Sequence, residues 1–83
     1  MNYTEWAFHD LEPVYLQLIQ KIEYSILSKQ LPAGEELPSI RIMAKSLKIS
    51  PNTVMKAYMR LRKSNLIISS RKILWKRIRT GWK

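Results

Sequence analysis

Two helix-start signals lie close together in the middle of this 83-residue chain. Ser39 is the first, and Ser50 followed by Pro51 is the second. A serine at the N-cap accepts a hydrogen bond from a free N–H of the first turn, and a proline at the first helical position gives up no hydrogen bond. The two signals therefore predict a short helix over 40–47 and a second helix from Pro51 to about Lys63 or Ser64.

The apolar spacing supports both helices and adds a third helix before them. Residues at positions i, i+3, i+4 and i+7 lie on one helix face. Pro13 opens a segment with this spacing, which predicts a helix to about Ser28 or Lys29. The three apolar stripes are Tyr15, Leu18, Ile19, Ile22 and Ile26; Ile40, Met43, Ala44 and Leu47; and Val54, Ala57, Tyr58 and Leu61. They predict a three-helix core, and we expect Tyr15, Tyr24 and Tyr58 to pack in or near it.

Short extended segments are predicted on either side of the two central helices. Residues 30–38 contain two prolines and one glycine, which exclude a helix there and leave a short extended piece at Glu36–Leu37. Apolar runs at 66–68 and 73–75 flank two serines, and this pattern favours a β-hairpin. The fold class is therefore mainly α with a small β-hairpin.

Two questions stay open in the terminal segments. The C-terminal segment also fits a basic amphipathic helix, because Leu74, Trp75, Ile78 and Trp82 have helical spacing among cations. Residues 1–12 show no clear period, and Trp6 and Phe8 fit packing on this domain or on a second subunit. The predicted organisation is an N-terminal extension at 1–12, a domain at 13–78 and a basic tail at 79–83.

The charge of the chain is unevenly distributed along its length. The net charge is +9, and all six acidic residues lie at or before Glu36. Thirteen of the fifteen lysines and arginines follow that position, where no acid opposes them. Such a segment repels itself unless it meets a polyanion. Nucleic acid is the first candidate partner, and an anionic membrane surface is the second.

The two central helices have the form of a helix-turn-helix, in which two short helices are joined by a tight turn. On the second of them, Asn52, Lys56, Arg60 and Lys63 share a face opposite the apolar stripe. The first turn of that face carries small polar groups, which can reach base edges in the major groove of DNA. The longer cations further along are suited to backbone phosphates. This arrangement predicts binding to double-stranded DNA.

Short motifs along the chain resemble the DNA-binding domain of the GntR family, and the PNTV-x-KAY stretch resembles its YtrA-like subfamily. The motifs in question are Pro13-Val14-Tyr15, Leu31-Pro32-Ala33-Gly34-Glu35, Leu37-Pro38-Ser39, and Ser50-Pro51-Asn52-Thr53-Val54 with Lys56-Ala57-Tyr58. The resemblance extends over about 13–68 and is in register throughout. It implies a winged helix-turn-helix, with a three-helix core plus a wing, of a bacterial transcription regulator, usually a repressor.

The resemblance also implies which residues contact DNA. In the family, an arginine in the first helix of the motif and the first turn of the recognition helix do so, which here are Arg41, Ser50, Pro51, Asn52, Thr53 and Lys56. Asn52, Thr53 and Lys56 are expected nearest the bases, whereas Pro51 only positions the helix. Arg60 and Lys63 are expected on phosphates, as are Arg71 and Lys72 of the wing. The family also implies a homodimer on a palindromic site.

Several positions depart from the family pattern. Ile40 stands where the family often has an acid, and Lys48 and Asn65 stand where it has glycine, so both are expected at positive φ. The wing lacks its usual glycines. Few residues follow the wing, so we expect no effector pocket. The chain is then either a shortened form of a longer regulator or a minimal regulator that dimerises through its N-terminus or tail.

Other classes of function receive little support. There is no cysteine and no glycine-rich phosphate loop, and His9 is the single histidine. We therefore expect no catalytic residue, no cofactor and no metal, and the chain is not expected to be an enzyme. With no apolar run of membrane-spanning length and no secretory signal, a cytoplasmic location is expected. The alternatives are a basic membrane-surface or protein-interaction module, or a truncated regulator that binds DNA only non-specifically.

Overall fold

The computed structural model describes residues 3–32, 34–69 and 75–77. Its helices are α1 (Val14–Leu27), α2 (Ile40–Leu47) and α3 (Pro51–Lys63), and a short 3-10 turn at Tyr3–Glu5 precedes them. The strands are β1 (Glu36–Leu37), β2 (Ile67–Ser69) and β3 (Trp75–Arg77). Among the described residues, none of the helices has the length and hydropathy of a membrane-spanning segment.

The predicted caps form at both central helices. The hydroxyl of Ser39 accepts a hydrogen bond from the backbone N–H of Ile42 at 3.2 Å. The hydroxyl of Ser50 accepts one from the N–H of Asn52 at 3.1 Å, and Pro51 occupies the start of α3. Pro13 is the N-cap residue of α1, one position before its first helical residue. The predicted bounds of α2 and the predicted start of α3 are therefore confirmed.

One residue with a left-handed backbone conformation ends α2, and another follows α3. Both stand at positions where the family has glycine, and positive φ was predicted for both. Lys48 has φ of 59°, and Asn65 has φ of 63°. The next N–H groups then turn back, so that Ile49 donates to the carbonyl of Ala44 and Leu66 to that of Leu61, each at 3.0 Å. A non-glycine residue in this conformation costs about 1–2 kcal/mol. The backbone hydrogen bonds that Ile49 and Leu66 donate offset part of that cost.

The core lies where the three helices and the sheet meet. Its buried apolar residues are Leu18, Ile22, Ile26, Leu31, Leu37, Met43, Ala44, Val54, Ala57, Tyr58, Leu61, Ile67 and Trp75. All three predicted stripes contribute to it. Tyr24 does not, because 65% of it is exposed, and the prediction that it packs in or near the core is wrong.

Tyr58 joins α3 to the sheet and to the chain before α2. Its hydroxyl donates to the carbonyl of Pro38 at 2.8 Å. Its ring packs edge-to-face against Trp75, with the ring centroids 5.1 Å apart. Burial, with a smaller contribution from Tyr3, raises the pKa of the Tyr58 phenol, which therefore stays a neutral donor.

The strands form one antiparallel sheet in the order β1-β3-β2. Trp75 of β3 pairs with Ser69 of β2 on one side and with Leu37 of β1 on the other. The hairpin prediction is confirmed, and the competing helix is wrong over 75–77. The described part of the second strand is 75–77, and it shares Trp75 with the apolar run at 73–75. Residues 70–74 and 78–83 lie outside the described residues.

The segment before α1 packs on its own chain. The side-chain amide of Gln17 donates to the carbonyls of His9 (2.9 Å) and Glu12 (2.8 Å), and its oxygen accepts from the N–H of His9 (3.1 Å). Gln17 is only 5% exposed. Trp6 and Phe8 pack against the core of this domain, which is the first of the two alternatives for these residues.

We expect Gln17→Leu to lower the free energy of unfolding by about 1–3 kcal/mol, because it leaves backbone groups of His9 and Glu12 without their partner. Urea unfolding measures the loss, and amide exchange over residues 8–12 shows whether the segment loosens. Gln20→Leu is the matched control, since Gln20 is exposed on the same helix. Equal losses for the two variants would show that the Gln17 hydrogen bonds do not hold the segment.

Candidate nucleic-acid interface

The outward face of α3 is polar and basic. Asn52, Lys56, Arg60 and Lys63 are all exposed, on the side opposite the buried stripe of the same helix. The structure thus brings together the four residues that helical periodicity placed on one face. Neither α2 nor α3 contains an acidic residue, so no carboxylate within these helices offsets the charge.

In the first turn of α3, one polar side chain caps the helix and others are at least partly exposed to solvent. The Ser50 hydroxyl accepts the N–H of Asn52 and serves as the helix cap. Pro51 is exposed and has no N–H to offer. The side chain of Asn52 is exposed and that of Thr53 is half-buried. Asn52 and Thr53 are therefore the side chains of this turn that present free polar surface.

Helix α2 extends the basic surface beside the start of α3. Arg41 is exposed and lines a shallow groove with Lys45, Lys48, Ile49 and Pro51. Lys45 and Lys48 were not among the predicted site residues. The four-residue step from Arg41 to Lys45 places both on one helix face and is a signal that could have identified Lys45.

A second groove separates α3 from the first turn of α1. It is lined by Pro13, Val14, Tyr15, Asn52, Thr53, Met55, Lys56, Met59, Arg60, Arg62, Lys63 and Asn65. The ammonium nitrogen of Lys56 lies 4.4 Å from the centre of the Tyr15 ring. This distance is within the range of a cation–π interaction. Its helical spacing predicts Tyr15 in or near the core only, and this contact with Lys56 is additional.

Two methionines complete the exposed face of α3. Met55 is 45% exposed and Met59 is 46% exposed. Neither methionine is among the residues predicted to contact DNA, because methionine is usually a core residue. Met59 follows Asn52 by seven positions and precedes Lys63 by four. The helical periodicity that places Asn52 and Lys63 on the exposed face therefore places Met59 there too.

Arg71 and Lys72 of the wing lie outside the described residues. In the rest of the chain, over 3–32, 34–69 and 75–77, no group of three or more side chains is arranged to bind a metal ion. The candidate interface over the described residues therefore consists of cations, polar groups and exposed methionines on α2, α3 and the turn between them, with Tyr15 beside Lys56.

The elements together define a winged helix-turn-helix. Helices α2 and α3 are joined by the tight turn at residues 48–50, α1 packs across α3, and a short antiparallel sheet lies beside them. In proteins of this class the second helix of the motif is the one that enters the major groove.

The family model for bacterial regulatory proteins of the gntR family matches residues 14–73. The chain belongs to the GntR family. It is 34% identical over 64 residues to the uncharacterized HTH-type transcriptional regulator YhcF of Bacillus subtilis, covering 77% of this chain and 53% of YhcF. It is 38% identical over 55 residues to the HTH-type transcriptional repressor YtrA of the same organism, covering 66% of this chain and 42% of YtrA.

A solved structure shows the same fold over nearly the whole chain. YtrA from Sulfolobus acidocaldarius, a GntR-family transcription factor, superposes with a TM-score of 0.85 at 27% identity, covering 98% of this chain and 85% of that one. By contrast, the chain spans about half the length of the two Bacillus relatives. The shared part is the winged helix-turn-helix.

Proposed function

We propose that this chain binds double-stranded DNA sequence-specifically, as the DNA-binding part of a bacterial transcription regulator. The observation that carries the proposal is the exposed face of α3, which is polar in its first turn and basic beyond it on a helix-turn-helix scaffold. Such a helix enters the major groove with its first turn against the base edges.

The proposed roles follow the position of each side chain. Asn52 and Thr53 meet base edges, because they present polar surface at the start of α3. Ser50 caps the helix, and Pro51 sets its entry. The cations further from the bases neutralise backbone phosphates, and these are Arg41, Arg60 and Lys63, together with Arg71 and Lys72 of the wing. Lys56, which was expected near the bases, is assigned to a phosphate instead because its ammonium lies against the Tyr15 ring on the side of α1.

The proposal extends to the whole regulator. The domain occupies 13–78, with an N-terminal extension at 1–12 and a basic tail at 79–83. The chain acts in the cytoplasm by binding rather than by catalysis, with no cofactor, and blocks transcription by occupying an operator. The repressor named among its relatives supports this mode of action. A homodimer would place two α3 helices about one DNA turn apart on a palindromic site.

Fluorescence anisotropy tests the proposal directly. The full chain is titrated against a duplex from the upstream region of its own gene and against a scrambled duplex, at roughly 50 and 200 mM salt. A clear preference for the native duplex at the higher salt supports sequence-specific binding. Equal affinities that collapse together with salt would show a basic scaffold that binds DNA without specificity.

Lys63→Gln is expected to weaken binding to both duplexes alike and to reduce the slope of log affinity against log salt by about one. The reason is that a phosphate contact carries no sequence information but releases a counterion. Lys29→Gln is the matched control, because Lys29 is exposed two residues beyond the end of α1 and does not line the groove beside α3. If Lys63→Gln leaves the slope unchanged, Lys63 does not meet a phosphate.

A further inference from the structure

We propose that Tyr15 is a positioning residue for DNA binding, whose ring holds the ammonium of Lys56 beside a backbone phosphate. The inference rests on the proposed function, since it concerns how one cation of that interface is placed. It adds the first turn of α1 to a surface otherwise formed by the helix-turn-helix and the wing.

The contact lies in the groove between α1 and α3. The Lys56 nitrogen is 4.4 Å from the centre of the Tyr15 ring, and both residues line the groove together with Thr53 and Arg60. Lys56 is exposed and Tyr15 is half-buried, so one side of the ammonium faces the ring and the other is open to a ligand. The negative face of an aromatic ring attracts such a cation without neutralising it.

The direction of the Lys56 side chain favours a phosphate over a base edge. Lys56 shares the exposed face of α3 with Asn52 and Lys63. Its side chain nevertheless reaches sideways toward α1, where its nitrogen lies against the Tyr15 ring. When a helix lies in the major groove, the side chains that reach sideways face the sugar-phosphate strands rather than the bases. The ammonium of Lys56 is therefore placed toward a strand.

Tyr15 is itself held in place by its helix. It lies in the first turn of α1, which Pro13 precedes as the N-cap residue. Two positions further on, buried Gln17 binds the backbone of the N-terminal segment. A ring fixed on such an element restricts a flexible lysine before DNA arrives, and this lowers the ordering cost that binding would otherwise carry.

The experiment is a double-mutant cycle on the full chain, read by anisotropy at several salt concentrations. Tyr15→Leu removes the ring and is expected to weaken binding about two- to fivefold on native and scrambled duplexes alike. Tyr15→Phe keeps the ring and is expected to bind as the wild type does. Tyr15→Leu combined with Lys56→Gln is expected to bind no more weakly than Lys56→Gln alone, because the ring acts through the lysine.

Three further readouts separate this role from a purely structural one. Tyr15→Leu is expected to reduce the salt slope toward that of Lys56→Gln, which loosened packing would not do. Tyr24 is a second tyrosine on α1 and is exposed. Tyr24→Leu is therefore expected to leave DNA binding unchanged. In the free protein, the NMR signals of the Lys56 side chain are expected to be shifted by the Tyr15 ring and to lose that shift in Tyr15→Leu.

The outcomes distinguish the two proposals. Wild-type protein that binds no duplex would overturn the proposed function. Wild-type protein that binds, with additive losses from Tyr15→Leu and Lys56→Gln, would overturn the role of Tyr15 alone. If Tyr15→Leu does not fold, the NMR shift in the wild type and the binding of Tyr15→Phe decide the question: an unshifted Lys56 or a weakened Phe variant would contradict it.

Discussion

Tyr58→Ala is expected to lower the free energy of unfolding by about 3–5 kcal/mol, the usual cost of removing a buried aromatic ring. Tyr58 is fully buried where α3, the sheet and the chain before α2 meet. The substitution removes the edge-to-face contact with Trp75 and the hydrogen bond to Pro38 together. A domain of this size has a total stability of about 4–12 kcal/mol, so the variant loses a large share of it.

Tyr58→Phe is the matched control for this prediction. It keeps the ring against Trp75 and removes only the hydroxyl that donates to Pro38. The expected loss is about 0.5–1.5 kcal/mol, the net contribution of one hydrogen bond. Urea unfolding followed by circular dichroism measures both variants. Similar losses for Tyr58→Ala and Tyr58→Phe would contradict the central place given to the ring.

The helices could be predicted from the sequence because their limits are set locally. Ser39, Ser50 and Pro51 act on N–H groups within the next few residues, so their effect does not depend on the rest of the fold. Lys48 and Asn65 likewise act on the backbone at the ends of α2 and α3. The outward face of α3 follows from helical periodicity alone, once its start is known.

The pairing of β3 could not be predicted in the same way. The apolar run at 73–75 is consistent with a strand, but the pairing decides which residues form it. Trp75 lies opposite both Ser69 and Leu37, and its ring packs on Tyr58. These partners are distant in sequence, and β-propensity measures such contacts more than the backbone itself. The sequence therefore predicts a hairpin, but not that Trp75 pairs on both sides and packs on Tyr58.

The contacts between α1 and its surroundings also depend on distant partners. Gln17 has no pattern that marks it as buried, because its partners are backbone groups of an irregular segment. The contact of Tyr15 with Lys56 requires the crossing of α1 over α3. Periodicity placed Tyr15 on the apolar stripe and Lys56 on the polar face, and no local signal joins the two.

Asn52→Ala is expected to cost about 1–3 kcal/mol of binding free energy on the native duplex and little on a scrambled one. The Asn52 side chain is exposed in the first turn of α3. An amide there donates and accepts at once, a pattern that matches an adenine edge in the major groove. The Ser50 cap receives the backbone N–H of Asn52, which alanine retains, so the helix start is preserved.

Whether Asn52 contacts a base is decided by comparing the loss of binding free energy on the two duplexes, not by the size of the loss on one of them. Asn65→Gly is the matched control, because Asn65 lines the same groove at the far end of α3 and glycine keeps its positive φ. We expect this control to change the preference for the native duplex little. Anisotropy at one fixed salt concentration measures all three proteins on both duplexes. If Asn52→Ala weakens both duplexes equally, Asn52 contacts the backbone, and base recognition rests on Thr53 or on the exposed methionines instead.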